Sequence, residues 1–196
     1  MTDMTDTTDT IDTTDTLDYF ESIEEGKIGE QIFIEDYFEK RNIEYHDVRI
    51  GIPSYQKDDI DFKEKKSNKT WEIKCNYKDD EQIYIETMHN TDETLGEIKV
   101  GWIETCKADE IVFVCEKNRT MIFIEVKKLK EKYEEIKDNY PEIPNKVTEK
   151  NNGRKNKSSF KVIPLTEFSG LYRKETFLDD VYCLSRKTQL SLVAGM

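Results

Sequence analysis

Apolar and charged residues alternate most sharply in two short runs in the first half of the chain. In Thr70-Trp71-Glu72-Ile73-Lys74, a β-strand turns Glu72 and Lys74 to one face and Trp71, Ile73 and Cys75 to the other, the side to be buried. In Asp58-Asp59-Ile60-Asp61-Phe62, Ile60 and Phe62 alternate with Asp59 and Asp61 in the same way. The segment between them, Lys65-Lys66-Ser67-Asn68-Lys69, is polar and suits a hairpin turn. Paired, the two strands aim two or three carboxylates and one ammonium at a common space. Like charges that close raise one another's pKa and oppose folding, unless a divalent cation sits among them.

The rest of the pattern predicts a mix of helices and strands. Gly26-Lys27-Ile28-Gly29 reads as a break or helix entry, followed by a helix from Glu30 to Lys40. Phe33, Ile34, Tyr37 and Phe38 recur at helical spacing from Glu30, so Glu30 projects from the apolar side of that helix. Asn42 to Ile52 reads as a strand or extended connection, and Pro53-Ser54-Tyr55 as a turn. Gln82-Ile83-Tyr84-Ile85-Glu86 is a further strand, with Gln82 and Glu86 on one face. Trp102 and Ile103 anchor a short helix or turn, and the apolar run Ile111 to Cys115 predicts a strand covered on both faces. Met121 to Val126 returns as its hairpin partner. Leu129, Tyr133, Ile136 and Tyr140 follow helical spacing up to Pro141, and Phe160 to Leu165 suits a last edge strand.

Composition sharpens this picture in three ways. At 196 residues the chain is long enough for one domain with its own core. No apolar stretch approaches the length of a membrane span and the N-terminus lacks a basic-then-apolar signal pattern, which predicts a cytoplasmic setting without membrane association. Cys75, Cys106, Cys115 and Cys183 are widely spaced and read as buried free thiols in a reducing compartment. With His46 and His89 the sole histidines, a zinc site is not expected.

Charge is distributed unevenly. Residues 1–18 repeat Thr and Asp, and the six Asp of the first twenty residues supply half of the net −12. Such a tract cannot bury enough apolar surface to offset its ordering entropy, which predicts a disordered acidic tail ahead of a folded domain over 19–170. Residues 171–196 read as a C-terminal tail or helix. Residues 145–161 carry Lys146, Lys150, Arg154, Lys155, Lys157 and Lys161 against Glu149 alone, and read as a flexible basic loop. The loop is either a solubilising linker or a contact to phosphates. The net acidity argues against broad electrostatic coating of a duplex, not against a local nucleic-acid cleft.

The pattern Asp59-(x12)-Glu72-Ile73-Lys74, with the strand Gln82 to Glu86 after it, resembles the PD-(D/E)XK nuclease superfamily. The proline of the family's motif is absent here. The order of Gly101-Trp102, Ala108-Asp109, buried strand, hairpin return and helix is similar to the second half of phage and viral nucleases of that superfamily. The resemblance implies an α/β, restriction-endonuclease-like core, a mixed central β-sheet flanked by helices. It also implies Mg²⁺ or Mn²⁺, one or two ions, held at Asp59, Glu72, Glu30, Asp61 and Ile73. Asp59, Glu72, Lys74 and Glu30 would be catalytic, with Asp59 preferred over Asp61 as the strand ligand. Gln82 and Glu86 would support the site, although Glu86 is equally an edge-strand surface acid. Lys150, Arg154, Lys155 and Lys157 would contact nucleic acid. The implied activity is a DNA endonuclease, including the branched DNA cut by Holliday-junction resolvases, whose paired cuts require a homodimer. An RNA nuclease of the same fold and a non-catalytic, nuclease-like binding module are the alternatives.

Overall fold

The apolar run at Ile111 forms β6 (Glu110–Cys115), buried along its whole length, and a four-residue turn returns the chain as β7 (Thr120–Glu125). The structure, a computed structural model, describes residues 19–49, 53–75, 80–90, 99–144, 148–149 and 155–176. Among these, β1 (Tyr45–Asp47), β2 (Phe62–Glu64), β3 (Thr70–Cys75) and β11 (Tyr172–Thr176) join the hairpin in a sheet of order β1-β2-β3-β6-β7-β11. β3 and β6 run parallel and the other neighbours antiparallel, so the fold is α/β with a mixed central sheet.

Parallel neighbours cannot be joined by a tight turn. The connection from β3 to β6 carries β4 (Gln82–Asn90), β5 (Lys99–Val100) and the short helix α3 (Trp102–Thr105). β4 does not extend the first sheet. It pairs with β10 (Lys155–Pro164) in a second sheet of order β5-β4-β10-β8, with β8 (Ile143–Pro144), while β9 (Thr148–Glu149) pairs with β10. Gly101 makes the crossing tight: a Cβ there would lie 2.0 Å from the Glu86 carbonyl oxygen, so no larger residue fits between β4 and α3.

Alternation along β6 and β7 divides the interior into two cores. Val112, Val114, Met121 and Phe123 face one side, where Trp71, Ile73 and Phe62 meet Phe33 and Phe38. Those last two come from α1 (Tyr19–Phe33) and the π-helical turn Ile34–Glu39 that continues it. Phe38 stacks on Tyr45 at 4.4 Å between ring centres and meets Trp71 edge-on at 5.3 Å. On the opposite face Ile111, Phe113, Ile122 and Ile124 pack with Leu129, Tyr133 and Ile136 of α4 (Val126–Ile136) and with Ile83, Ile85 and Ile163 of the second sheet.

Several expectations are corrected. Helix α1 passes through Gly26 and Gly29 instead of starting after them; at Gly29 a Cβ would sit 3.2 Å from that of Cys75, so the glycine lets the helix approach β3 closely. Pro53 to Tyr55 is not a simple turn but opens the one-turn helix α2 (Pro53–Lys57). The strand expected over Asp58–Phe62 begins only at Phe62, because Asp59 has a left-handed backbone, φ 47°. Ile60 therefore enters one core and Phe62 the other, contrary to the simple alternation.

Residues 155–161, expected as flexible loop, belong to β10, paired with β4 on one side and β8 on the other. β10 is thus an interior strand, and Pro164 stands at its end, beyond the residues that β8 pairs. Tyr172–Thr176, expected in a tail, is the edge strand of the first sheet. Residues 1–18 and 177–196 lie outside the described residues. Cys106 and Cys115 are buried free thiols and Cys75 is half-buried. No helix of the described residues is long and apolar enough to cross a membrane.

Asp80 fastens the entry to β4 onto the first sheet. Its buried carboxylate accepts from Thr120 Oγ1 at 2.7 Å and Asn118 Nδ2 at 2.8 Å, and pairs with Lys174 Nζ of β11 at 2.5 Å. Burial alone would raise its pKa; the bonds from Lys174, Thr120 and Asn118 outweigh it and hold the group at about 2. A depressed carboxyl pKa contributes stability that is present at neutral pH and lost as pH falls from about 4 toward 2. Asp80→Asn is expected to lower stability by about 2 kcal/mol at pH 7 and to lose that difference near pH 2, as read by urea unfolding at the two pH values. An undiminished difference near pH 2 would show that Asp80 acts through packing alone.

Candidate active site

The β2–β3 hairpin pairs Phe62 with Trp71 and Lys63 with Thr70. Just before Phe62, Asp61 extends the ladder in an unusual way. Its N–H donates to the Trp71 carbonyl at 2.9 Å, and its carboxylate accepts the Ile73 N–H at 2.8 Å, where a strand carbonyl would otherwise serve. Asp61 is thereby drawn over β3, next to Glu72 and Lys74, which share one face of that strand.

Glu72 is buried, with 4 % of its surface exposed. Lys74 Nζ pairs with its Oε1 at 2.5 Å while keeping 30 % of its own side chain exposed. The Trp102 ring lies 5.8 Å from that ammonium, a cation–π contact contributed by α3. Asp61 and Glu72 are within hydrogen-bond reach of each other. Burial pushes Glu72 up to about 8; Lys74 pulls it down, and Asp61 and Asp59 push it up again. Burial also raises Asp61, against the pull of Lys74 and the Ile73 N–H. For Lys74 burial works toward the neutral form, but Glu72, Asp61 and Asp59 together hold it above the usual lysine range. The two carboxyls titrate as a pair beside a persistent ammonium.

Asp59 lies one turn back and faces a different partner, the Thr105 hydroxyl of α3. Its segment is pinned to the α3–β6 connection: Lys107 N–H donates to the Asp58 carbonyl at 2.8 Å and Lys107 Nζ meets the Asp58 carboxylate at 2.7 Å. Glu30, on α1, is ion-paired with Arg49. The Arg49 guanidinium also pairs with Asp47 at 2.5 Å, stands 4.8 Å from the Phe62 ring centre and lowers the pKa of Asp61. The Cys106 thiol beneath the site is pushed up to about 12, first by burial and then by Glu72, so it is no thiolate nucleophile.

Of the residues expected at the site, Asp61, Glu72 and Lys74 come together. Asp59 and Glu30 stand at its margins on Thr105 and Arg49. The Ile73 side chain is in the α1-side core, and its main chain is what meets the site. Gln82 and Glu86 are on β4, in the second sheet. Lys155 and Lys157 fall on β10, and Lys150 and Arg154 lie outside the described residues. Arg49, Thr105 and Trp102 were not anticipated as site residues. The signal available for Arg49 was its two-residue spacing from Asp47 in an extended run; Thr105 carried none. Among the described residues, no group of three or more His, Cys, Asp or Glu is gathered closely enough to hold a metal ion by itself.

No family model matches the chain. Comparisons with curated proteins and with solved structures find no match either.

Two buried carboxyls against one ammonium make the site costly to the fold. A carboxyl with a raised pKa favours folding most below its unfolded pKa, and that contribution is lost as pH rises from about 4.5 through about 8. Glu72→Gln is therefore expected to stabilise the metal-free protein at pH 8 by about 1–2 kcal/mol. At pH 5 the gain should vanish, in thermal unfolding with EDTA present. A variant less stable than the parent at both pH values would contradict this reading.

Proposed function

We propose that the chain is a metal-dependent endonuclease of the PD-(D/E)XK kind, with a restriction-endonuclease-like fold, that hydrolyses phosphodiester bonds of DNA. The observation that carries this reading is the meeting of Asp61, Glu72 and Lys74. One acid precedes a short strand, an acid and a lysine alternate on the next, and all three converge where a helix and a parallel strand border the hairpin. In this reading Asp61, not Asp59, is the strand ligand.

The donor set suits a hard cation. Mg²⁺ is commonly held by one or two carboxylates together with substrate phosphate, not by a closed protein cage. Asp61 and Glu72 supply two such carboxyls, and a cation bound between them would hold both in the charged form that their burial disfavours. They would hold a Mg²⁺ or Mn²⁺ ion, while Asp59 and Glu30 stay engaged with Thr105 and Arg49. The chemistry such an ion would supply between Asp61 and Glu72 is Lewis-acid activation of the scissile phosphate and of an attacking water.

The chain's own groups do the rest. Lys74, partly exposed near Trp102, donates to the attacking water and then to the phosphoryl oxygens as negative charge grows on them. Asp61 is kept from turning away by its bond to the Ile73 N–H. Burial keeps Glu72 from being solvated and fixes it on Lys74.

The test is cleavage of labelled single-stranded, duplex, flap and four-way-junction DNA, and of a matched RNA, with Mg²⁺, Mn²⁺, Ca²⁺ or EDTA. Mg²⁺- or Mn²⁺-dependent cutting of DNA is expected, falling by about 10²–10³-fold or more in Lys74→Ala and Glu72→Ala. Removing residues 1–18 should change the rate by less than about tenfold, roughly 1.4 kcal/mol of barrier. Full activity in either point variant would overturn the site, and exclusive cutting of RNA would overturn the substrate.

A further inference from the structure

Most partly buried cations around the hairpin are committed to carboxylates, while Lys57 and Lys66 are exposed to solvent. Lys65 pairs with Glu44 at 3.4 Å, Lys69 with Glu110 at 2.9 Å, Lys74 with Glu72, Lys107 with Asp58, and Arg49 with Glu30 and Asp47. Lys63 is different. It is half-buried in the middle of β2, and among the described residues it meets no carboxylate; its one polar contact is the Tyr55 hydroxyl of α2, at 3.5 Å. Tyr55 is itself packed against the core, so its hydroxyl is held in place.

Strand geometry says where this lysine points. Lys63 follows Asp61 by two residues and is paired across the strands with His46 on one side and Thr70 on the other. Phe62, between them, enters the α1-side core. Lys63 and Asp61 therefore share the opposite face, about 6.6 Å apart along the strand. That spacing is comparable to the step between successive phosphates of an extended polynucleotide. Thr70 is occupied by Asp109 at 2.8 and 2.9 Å, and exposed His46 completes the rung. An uncompensated half-buried ammonium beside a fixed hydroxyl is a ready anion site, in a protein whose overall charge would otherwise repel a polyanion.

We propose that Lys63 and the Tyr55 hydroxyl form a subsite for the phosphate next to the scissile one, setting the line along which the nucleic-acid strand crosses the hairpin. The proposal rests on the nuclease reading above. Lys63 is a positioning residue here: it touches the substrate backbone and not the reacting phosphate. Its loss should weaken binding and leave the chemical step nearly intact.

The test compares Lys63→Gln, which keeps the stem and removes the charge, with Lys63→Arg, and with Lys117→Ala at the exposed β6–β7 turn. Binding of a fluorescent DNA oligonucleotide is followed by anisotropy in Ca²⁺ over a salt series, with kcat and KM measured in Mg²⁺. For Lys63→Gln, Kd is expected to rise about 5–20-fold and the slope of log K against log salt to lose about 0.7–0.9, one phosphate contact. The kcat should stay within about threefold, Lys63→Arg should recover most of the affinity, and Lys117→Ala should match the parent. Lys63→Gln with the Kd and salt slope of Lys117→Ala overturns the subsite while leaving a cutting enzyme, and so the nuclease reading, in place. A parent that binds DNA through Lys63 without cutting it overturns both the nuclease reading and the subsite's place beside a scissile phosphate, leaving a phosphate-binding site alone. A parent that neither binds nor cuts removes both.

Discussion

The structure turns on the burial of Glu72 against Lys74 in the middle of a mixed sheet. A carboxylate with 4 % exposure is expensive to hold beside a second acid, and a single ammonium at 2.5 Å offsets only part of that cost. Three arrangements lessen it without removing it: the Ile73 N–H bonded to Asp61, the Trp102 ring near Lys74, and the Arg49 guanidinium on the far side of Asp61. A fold selected for stability alone would place an apolar pair there. Two buried carboxyls at the centre of the molecule are best understood as cation ligands, which is why the proposed cation and phosphate substrate belong to one account.

The remainder of the fold supplies rigidity to that spot. β3 is held on one side by the β2 hairpin and on the other by parallel β6, and β6 is sealed between two apolar cores. Because β3 and β6 are parallel, the chain must travel out and back between them. That excursion creates the second sheet and delivers α3, with Trp102 and Thr105, under the site. Two glycines permit the close contacts this needs, Gly29 against Cys75 and Gly101 against the Glu86 backbone.

Much of this was legible in the chain, for physical reasons that also mark where it was not. The face shared by Glu72 and Lys74, the doubly covered β6, its return in β7 and the helix ending before Pro141 all follow from period and length. The motif preferred Asp59 to Asp61, whereas Asp61 is the one beside Glu72 and Asp59 faces Thr105; the left-handed backbone at Asp59, φ 47°, is a feature that nothing in its sequence neighbours demands. Gly26 and Gly29 read as helix breakers because propensity is local, whereas Gly29 serves a tertiary contact. Lys155 to Lys161 read as loop because its polar, Asn- and Ser-rich composition lacks strand periodicity; pairing with β4 on one side overrides that preference. That β4 would leave the first sheet could not be read at all, as strand partners are chosen by long-range contacts.

The most direct measurement is Mn²⁺ binding to the whole chain, by calorimetry or by the loss of free-ion electron spin resonance signal. It requires no substrate and no turnover. The account predicts at least one site in the parent, abolished in Glu72→Gln and Asp61→Asn but kept in Asp59→Asn, since the paired carboxyls belong to β3 and the residue just before β2. Binding unaffected by the first two variants, or no binding in a folded parent at millimolar Mn²⁺, would contradict it.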